Sequence, residues 1–185
     1  MARVPYLEES DLDPDDRVLL SRGINLHKAL VNNPQACRAF SRLASYIRNK
    51  SKLDSRLREL AILQVGYLAR SRYEYSHHVK IGFEFGVAAE DIEGMVAETA
   101  GKPSNLEPRA KLVLRAAREM TLEGAVAAGT FSELEAEFGR DLIIDLVLAI
   151  AFYNGVVRVL ASLEIDVEDD YQKYLEQFPL PQGEQ

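Results

Sequence analysis

Residues 53–86 read LDSRLRELAILQVGYLARSRYEYSHHVKIGFEFG. The stretch divides into two helices joined by a short polar turn. It puts Glu59, Glu74 and His78 where apolar side chains are expected. On the second helix, residues spaced i, i+4, i+7 and i+11 share a face, which groups Glu74 and His78 with Ile81 and Phe85. The stripe His77, Lys80, Glu84 is polar and reads as solvated, so the adjacent histidines should point in different directions, about 100° apart on a helix. Glu74 and His78 are i,i+4 neighbours, close enough to hydrogen-bond, and a carboxylate there favours the imidazolium and fixes the ring.

On the first helix, Glu59 shares its face with Ser55, Ile62, Leu63 and Gly66. The run LAILQVGYL is apolar nearly all round, the pattern of a helix buried on several sides. Burial would raise the pKa of Glu59, and a neighbouring cation would lower it. Such a carboxylate is either a proton carrier or an ion-pair partner for Arg56, Arg58 or a more distant arginine. A set of two buried acids and a histidine is costly unless its members pair.

The blocks LRELAIL, YEYSHH with its Gly-terminated helix, AEDIEGM and FYNGVVRVLASLEIDVE follow in order. Together they resemble the carboxymuconolactone decarboxylase family, whose all-helical fold is that of alkyl hydroperoxidase D. The resemblance spans roughly Leu26 to Glu168. It implies an all-α helical bundle, and the length makes it a single domain over residues 1–185, with an arm at 1–12 and an acidic tail at 164–185 read from the residues themselves. It also implies homo-oligomers, from dimers to hexamers.

The peroxidase branch uses a Glu, a Cys-x-x-Cys pair and a His. The Glu falls on Glu59 and the His on His78, but the cysteine positions fall on Ser71 and Glu74. Thiol peroxidase chemistry needs an attacking thiolate and a resolving thiol. Cys37, the single cysteine, lies in another expected helix. The decarboxylase branch, which uses no metal or organic cofactor, is closer. It implies proton transfer and decarboxylation on a small organic acid or lactone, with Glu59, Glu74 and His78 as catalytic candidates. That branch often carries Trp where this chain has Tyr75, which makes Tyr75 a candidate for shaping the pocket. A peroxidase-like oxidoreductase and a non-catalytic oligomeric binding protein stand as alternatives.

Composition bounds the rest. A net charge of −7 argues against nucleic acid and acidic membrane surfaces as partners. One cysteine suits a reducing, cytoplasmic setting. No apolar signal segment follows Met1. The segment 142–163 approaches membrane-spanning length but contains Asp145, Asn154 and Arg158, the pattern of a buried helix in a soluble protein.

Helix starts are expected at Asp13-Pro14, Asn33-Pro34, Asp54, Pro108 and a capping box Thr130–Glu133. Helix ends are expected at Gly86, Gly101 and Gly139. Asn154-Gly155 inside the longest apolar helix suggests close approach to another helix or subunit. Asn154 and Arg158 are candidate substrate binders, Arg158 for a carboxylate. The alternative is an ion pair of Arg158 with Asp145 or Glu164. His27 reads as a surface residue. Tyr67, Tyr73, Tyr75 and Tyr153 fit pocket or core equally. No metal-ligand spacing and no phosphate-binding glycine loop is present.

Overall fold

The computed structural model describes residues 2–181. Among the described residues, nine α-helices follow two short 3-10 turns, Glu9–Asp11 and Pro14–Leu20. They are α1 (Asn25–Leu30), α2 (Pro34–Asn49), α3 (Ser55–Leu68), α4 (Arg72–Glu84), α5 (Ala89–Thr99), α6 (Pro108–Leu122), α7 (Ala128–Glu137), α8 (Arg140–Leu163) and α9 (Asp169–Gln177). No strand occurs among the described residues.

The central element is α3. Every residue from Leu57 to Gly66 is buried, because α4, α5, α6 and α8 pack around it. Asp54 caps its start by accepting from the Leu57 amide at 3.0 Å. Arg70, at φ 51°, turns the chain into α4, whose first turn is capped by Ser71. The two helices touch at Gly66. A Cβ there would lie 3.2 Å from the Tyr75 amide nitrogen, so only glycine allows this approach without displacing α4. Gly86, at φ 90°, ends α4 in the left-handed region, and Val87 N–H returns to Gly82 O at 2.8 Å.

The N-terminal arm is tied down. Arg3 N–H donates to Leu163 O at 2.8 Å, and the Tyr6 hydroxyl donates to Asp166 at 3.1 Å. The acidic tail forms α9, which packs along α4 with Tyr174 and Phe178 against Phe83. Helix α8 is long and apolar enough to span a membrane by length and composition, yet its inner stripe, including Leu146, Ile150 and Val157, lies in the core.

Three local expectations are corrected. The capping box at Thr130 does not start a helix, because α7 already begins at Ala128 and the Thr130 hydroxyl donates instead to Glu119 at 2.7 Å. Gly155 meets no neighbouring atom within 4 Å and is exposed, so no close approach within the chain accounts for it. Asp145 does not pair with Arg158. It accepts from the Tyr46 and Ser51 hydroxyls, both at 2.7 Å, and so joins α8 to the α2–α3 turn.

Candidate functional site

Glu59, Glu74 and His78 converge. His78 Nδ1 lies 2.7 Å from Glu59 Oε2, and its Nε2 stands 3.0 Å from Glu74 Oε1. All three are at least 96% buried, since none exceeds 4% exposure. Arg58 completes the set. Its Nε donates to the second oxygen of Glu59 at 3.0 Å, and its guanidinium lies 4.8 Å from the Phe85 ring centre. Arg58 Nη2 is equally close to Glu59 but outside hydrogen-bond geometry. Glu59 is therefore an ion-pair partner of Arg58 and the inner neighbour of His78.

Burial alone would push the His78 pKa down, but the charges of Glu59 and Glu74 and their hydrogen bonds overcome it and hold the imidazole at about 9. Burial likewise works against the Glu59 carboxylate. Its contacts with His78 and Arg58 win, and its pKa falls below the usual range. His78 is thus an imidazolium at neutral pH.

A small cavity of about 30 Å³ adjoins the set. Glu74, His78 and Tyr153 line it, with Arg22 and Arg48 and an apolar wall that includes Phe40 and Phe152. Glu59 lies behind His78, away from this space. The second oxygen of Glu74 and the Tyr153 hydroxyl have no hydrogen-bond partner among the described residues, and Tyr153 meets the His78 ring edge-on at 4.8 Å. Burial, then Glu74 and Glu59, raise the Tyr153 pKa, so it stays a neutral hydroxyl. The order in space is Glu59, then the His78 ring, then Glu74 at the cavity.

Sequence expectations about five residues change. His77 is not solvated. It is 3% exposed, bonded through Nε2 to Glu168 at 2.8 Å, and stacked between Tyr73 and Tyr171. The covering layer comes from α9, which helical periodicity on α4 cannot reveal. His27 is also buried, with Nδ1 at 3.0 Å from Leu19 O. Tyr75 is fully buried against Tyr67 and lines a separate depression with Ile92 and Phe178. Asn154 and Arg158 stay outside the cavity. Asn154 donates to Thr121 Oγ1 at 3.0 Å, and the exposed Arg158 bonds back to Asn154. Conversely, Arg22, Arg48 and Tyr153 join the site from distant parts of the chain, and only the open reading of Tyr153 hinted at one of them.

The single cysteine lies away from this set. Cys37 is buried in a separate apolar cluster with Leu19, Leu20 and Val31, and burial raises its pKa. Ser71 is spent as the cap of α4. Among the described residues, no group of three His, Cys, Asp or Glu side chains suits a metal ion.

Residues 34–119 match the sequence model of the Carboxymuconolactone decarboxylase family. This segment belongs to that family. The carboxymuconolactone decarboxylase segment contains Arg48, Arg58, Glu59, Glu74 and His78, while Arg22 and Tyr153 lie outside it.

Solved structures share the fold over nearly the whole chain. A peroxidase-related protein from Ralstonia eutropha JMP134, described as an alkylhydroperoxidase AhpD core, superposes with a TM-score of 0.79 at 18% identity, covering 97% of this chain and 98% of its own. The debrominase Bmp8 superposes with 0.79 at 20% identity, covering 95% and 97%. An uncharacterized peroxidase-related protein from Silicibacter sp. TM1040 gives 0.68 at 18% identity, covering 92% and 97%. At these identities the likeness establishes the all-α, alkyl hydroperoxidase D-like fold. No curated protein matches the chain by sequence.

Proposed function

We propose that this chain is a small-molecule enzyme that moves a proton at carbon, with decarboxylation of a small organic acid or lactone as its reaction. The observation that carries the reading is His78 locked between Glu59 and Glu74, with Glu74 and His78 both lining a cavity. In such a reaction the bond to the departing carboxylate breaks, carbon dioxide leaves, and the electron pair passes into an enolate. The Tyr153 hydroxyl can donate to the enolate oxygen. A proton from the His78–Glu74 pair then reaches the carbon, and solvent restores it. Ligand sites are commonly 300–1,000 Å³, so the 30 Å³ cavity must widen to admit a substrate.

A thiol peroxidase reading lacks its thiols. A homo-oligomer, dimer to hexamer, belongs to the same proposal, with the exposed Ile144, Ala151 and Gly155 of α8 as the face toward another copy. So does a cytoplasmic setting, which suits the single buried thiol.

The test is deuterium incorporation from heavy water, with carbon dioxide release, across a panel of small carboxylated lactones and β-keto acids. Wild type should turn over at least one of them, and His78→Ala should lose about 100-fold or more. Equal rates in the two proteins would remove His78 from the chemistry. Silence toward the panel with steady peroxide consumption would replace the lyase reading by an oxidoreductase.

A further inference from the structure

Arg22 and Arg48 come from different elements and line the same cavity as Glu74, His78 and Tyr153. Arg22 lies in the turn after the second 3-10 helix, and Arg48 in the last turn of α2. Neither has a hydrogen bond or ion pair among the described residues, and the Arg48 Nε is buried with no partner at all. Burial holds the Arg22 pKa below the usual guanidinium range, and the charge of Arg48 lowers it further, so the two cations are close enough to repel. Both act on the Tyr153 hydroxyl, drawing its pKa down against burial and the two carboxylates.

A buried guanidinium nitrogen without a partner, as at Arg48, leaves its desolvation uncompensated, and Arg22, exposed on its turn, adds a second cation at the cavity mouth. Here the local charge is unbalanced. Glu59, Glu74 and Glu168, the last bonded to His77 and Tyr73 of the lining, supply three negative charges against the four positive charges of His78, Arg58, Arg22 and Arg48. The whole chain carries −7, so this excess of cations is local. Much of the remaining lining is apolar, including Phe40, Phe152 and Val156. An anion with a small carbon skeleton satisfies both halves of the space.

We infer that Arg22 and Arg48 form a paired-guanidinium seat for a small carboxylate, placed so that the bound molecule lies against Glu74 and the Tyr153 hydroxyl. A planar guanidinium takes a carboxylate through two parallel N–H donors, and two such groups fix its orientation. The catalytic significance of the seat rests on the proton-transfer reading, whereas the binding itself does not. The two arginines would be positioning residues, holding the reacting carbon at Glu74.

The experiment measures binding without turnover. Acetate is titrated into the intact protein while the His78 ring resonances are followed by NMR, with acetamide as the uncharged analogue. Acetate should give saturable shifts and acetamide none. Arg22→Gln and Arg48→Gln should each weaken acetate binding about tenfold or more, the worth of a charged hydrogen bond. Arg48→Lys should keep part of it. Arg115→Gln, in the separate groove where Arg115 already pairs with Glu133, should change nothing. Unchanged acetate affinity in folded Arg22→Gln and Arg48→Gln overturns the inference, as does an absence of saturable shifts in wild type. Should Arg48→Gln fail to fold, Arg22→Gln decides, since Arg22 lies on an exposed turn. Arginine-dependent acetate binding with no turnover of any substrate would leave the seat standing and sink only the enzymatic reading.

Discussion

Replacing Glu59 with alanine should destabilise the protein by about 3–5 kcal/mol, the cost of removing one partner from a buried ion pair. The carboxylate is fully buried and serves two cations, Arg58 and His78. Its loss leaves Arg58 with only the face of Phe85. His78 would keep Glu74, and its pKa would fall from about 9 because burial would then face one opposing charge instead of two.

The cost should depend on pH in a defined way. The folded pKa of His78 is raised, so its stabilisation is complete below the ordinary value of 6.5 and is lost as pH rises through about 9. The Glu59 pKa is lowered, so its contribution is complete above the ordinary 4.5 and is lost as pH falls further. The penalty of Glu59→Ala should therefore be greatest between those two values and shrink in alkali. Glu59→Gln keeps the shape and one acceptor and should cost less at every pH. Urea denaturation of the three proteins across the range measures this directly. A flat, small penalty would mean that the buried charges are not paired in solution.

His77→Ala is expected to cost about 3 kcal/mol, from a charged hydrogen bond and ring contacts worth about 0.5–1.5 kcal/mol each. The ring is sandwiched by Tyr73 at 4.1 Å and Tyr171 at 3.6 Å, and it donates to Glu168. Its pH dependence should run opposite to that of His78. Burial lowers the His77 pKa against the pull of Glu168. The stability of the neutral ring is thus complete above 6.5 and is lost as pH falls. The variant should differ most from wild type at neutral and mildly alkaline pH and less in acid. Denaturation midpoints at two pH values on either side of 6.5 check it. A variant as stable as wild type would show that α9 does not cover α4 in solution. Two adjacent histidines thus carry different burdens, His77 docking the C-terminal helix and His78 holding a proton.

The caps and breakers were legible in the sequence because they act locally. Asn33, Asp54 and Gly86 do what their residue types require within one turn of the chain. The meeting of Glu59, Glu74 and His78 was legible for a related reason. Helical spacing put all three on inward faces, and a short turn forced the two helices together. What covers those faces was not legible. Burial of His77 depends on Tyr171 and Glu168, which lie more than ninety positions away. The stripe containing His77, Lys80 and Glu84 looks polar whether or not another helix lies over part of it. The same limit hid Arg22 and Arg48, which are charged residues near helix ends with nothing in their immediate neighbourhood to mark them. Asn154 and Arg158 misled because i,i+4 spacing shows that two side chains are neighbours without showing which helix they face. Asn154 donates to Thr121 on α6, and Arg158 only to Asn154.

The most direct measurement is the titration of the His78 ring by nitrogen-detected NMR. At neutral pH both ring nitrogens should carry protons, and the ring should titrate near 9, falling in Glu59→Gln. A neutral His78 ring at pH 7, titrating at or below the ordinary 6.5, would contradict the charged Glu59–His78–Glu74 arrangement on which the proposed chemistry depends.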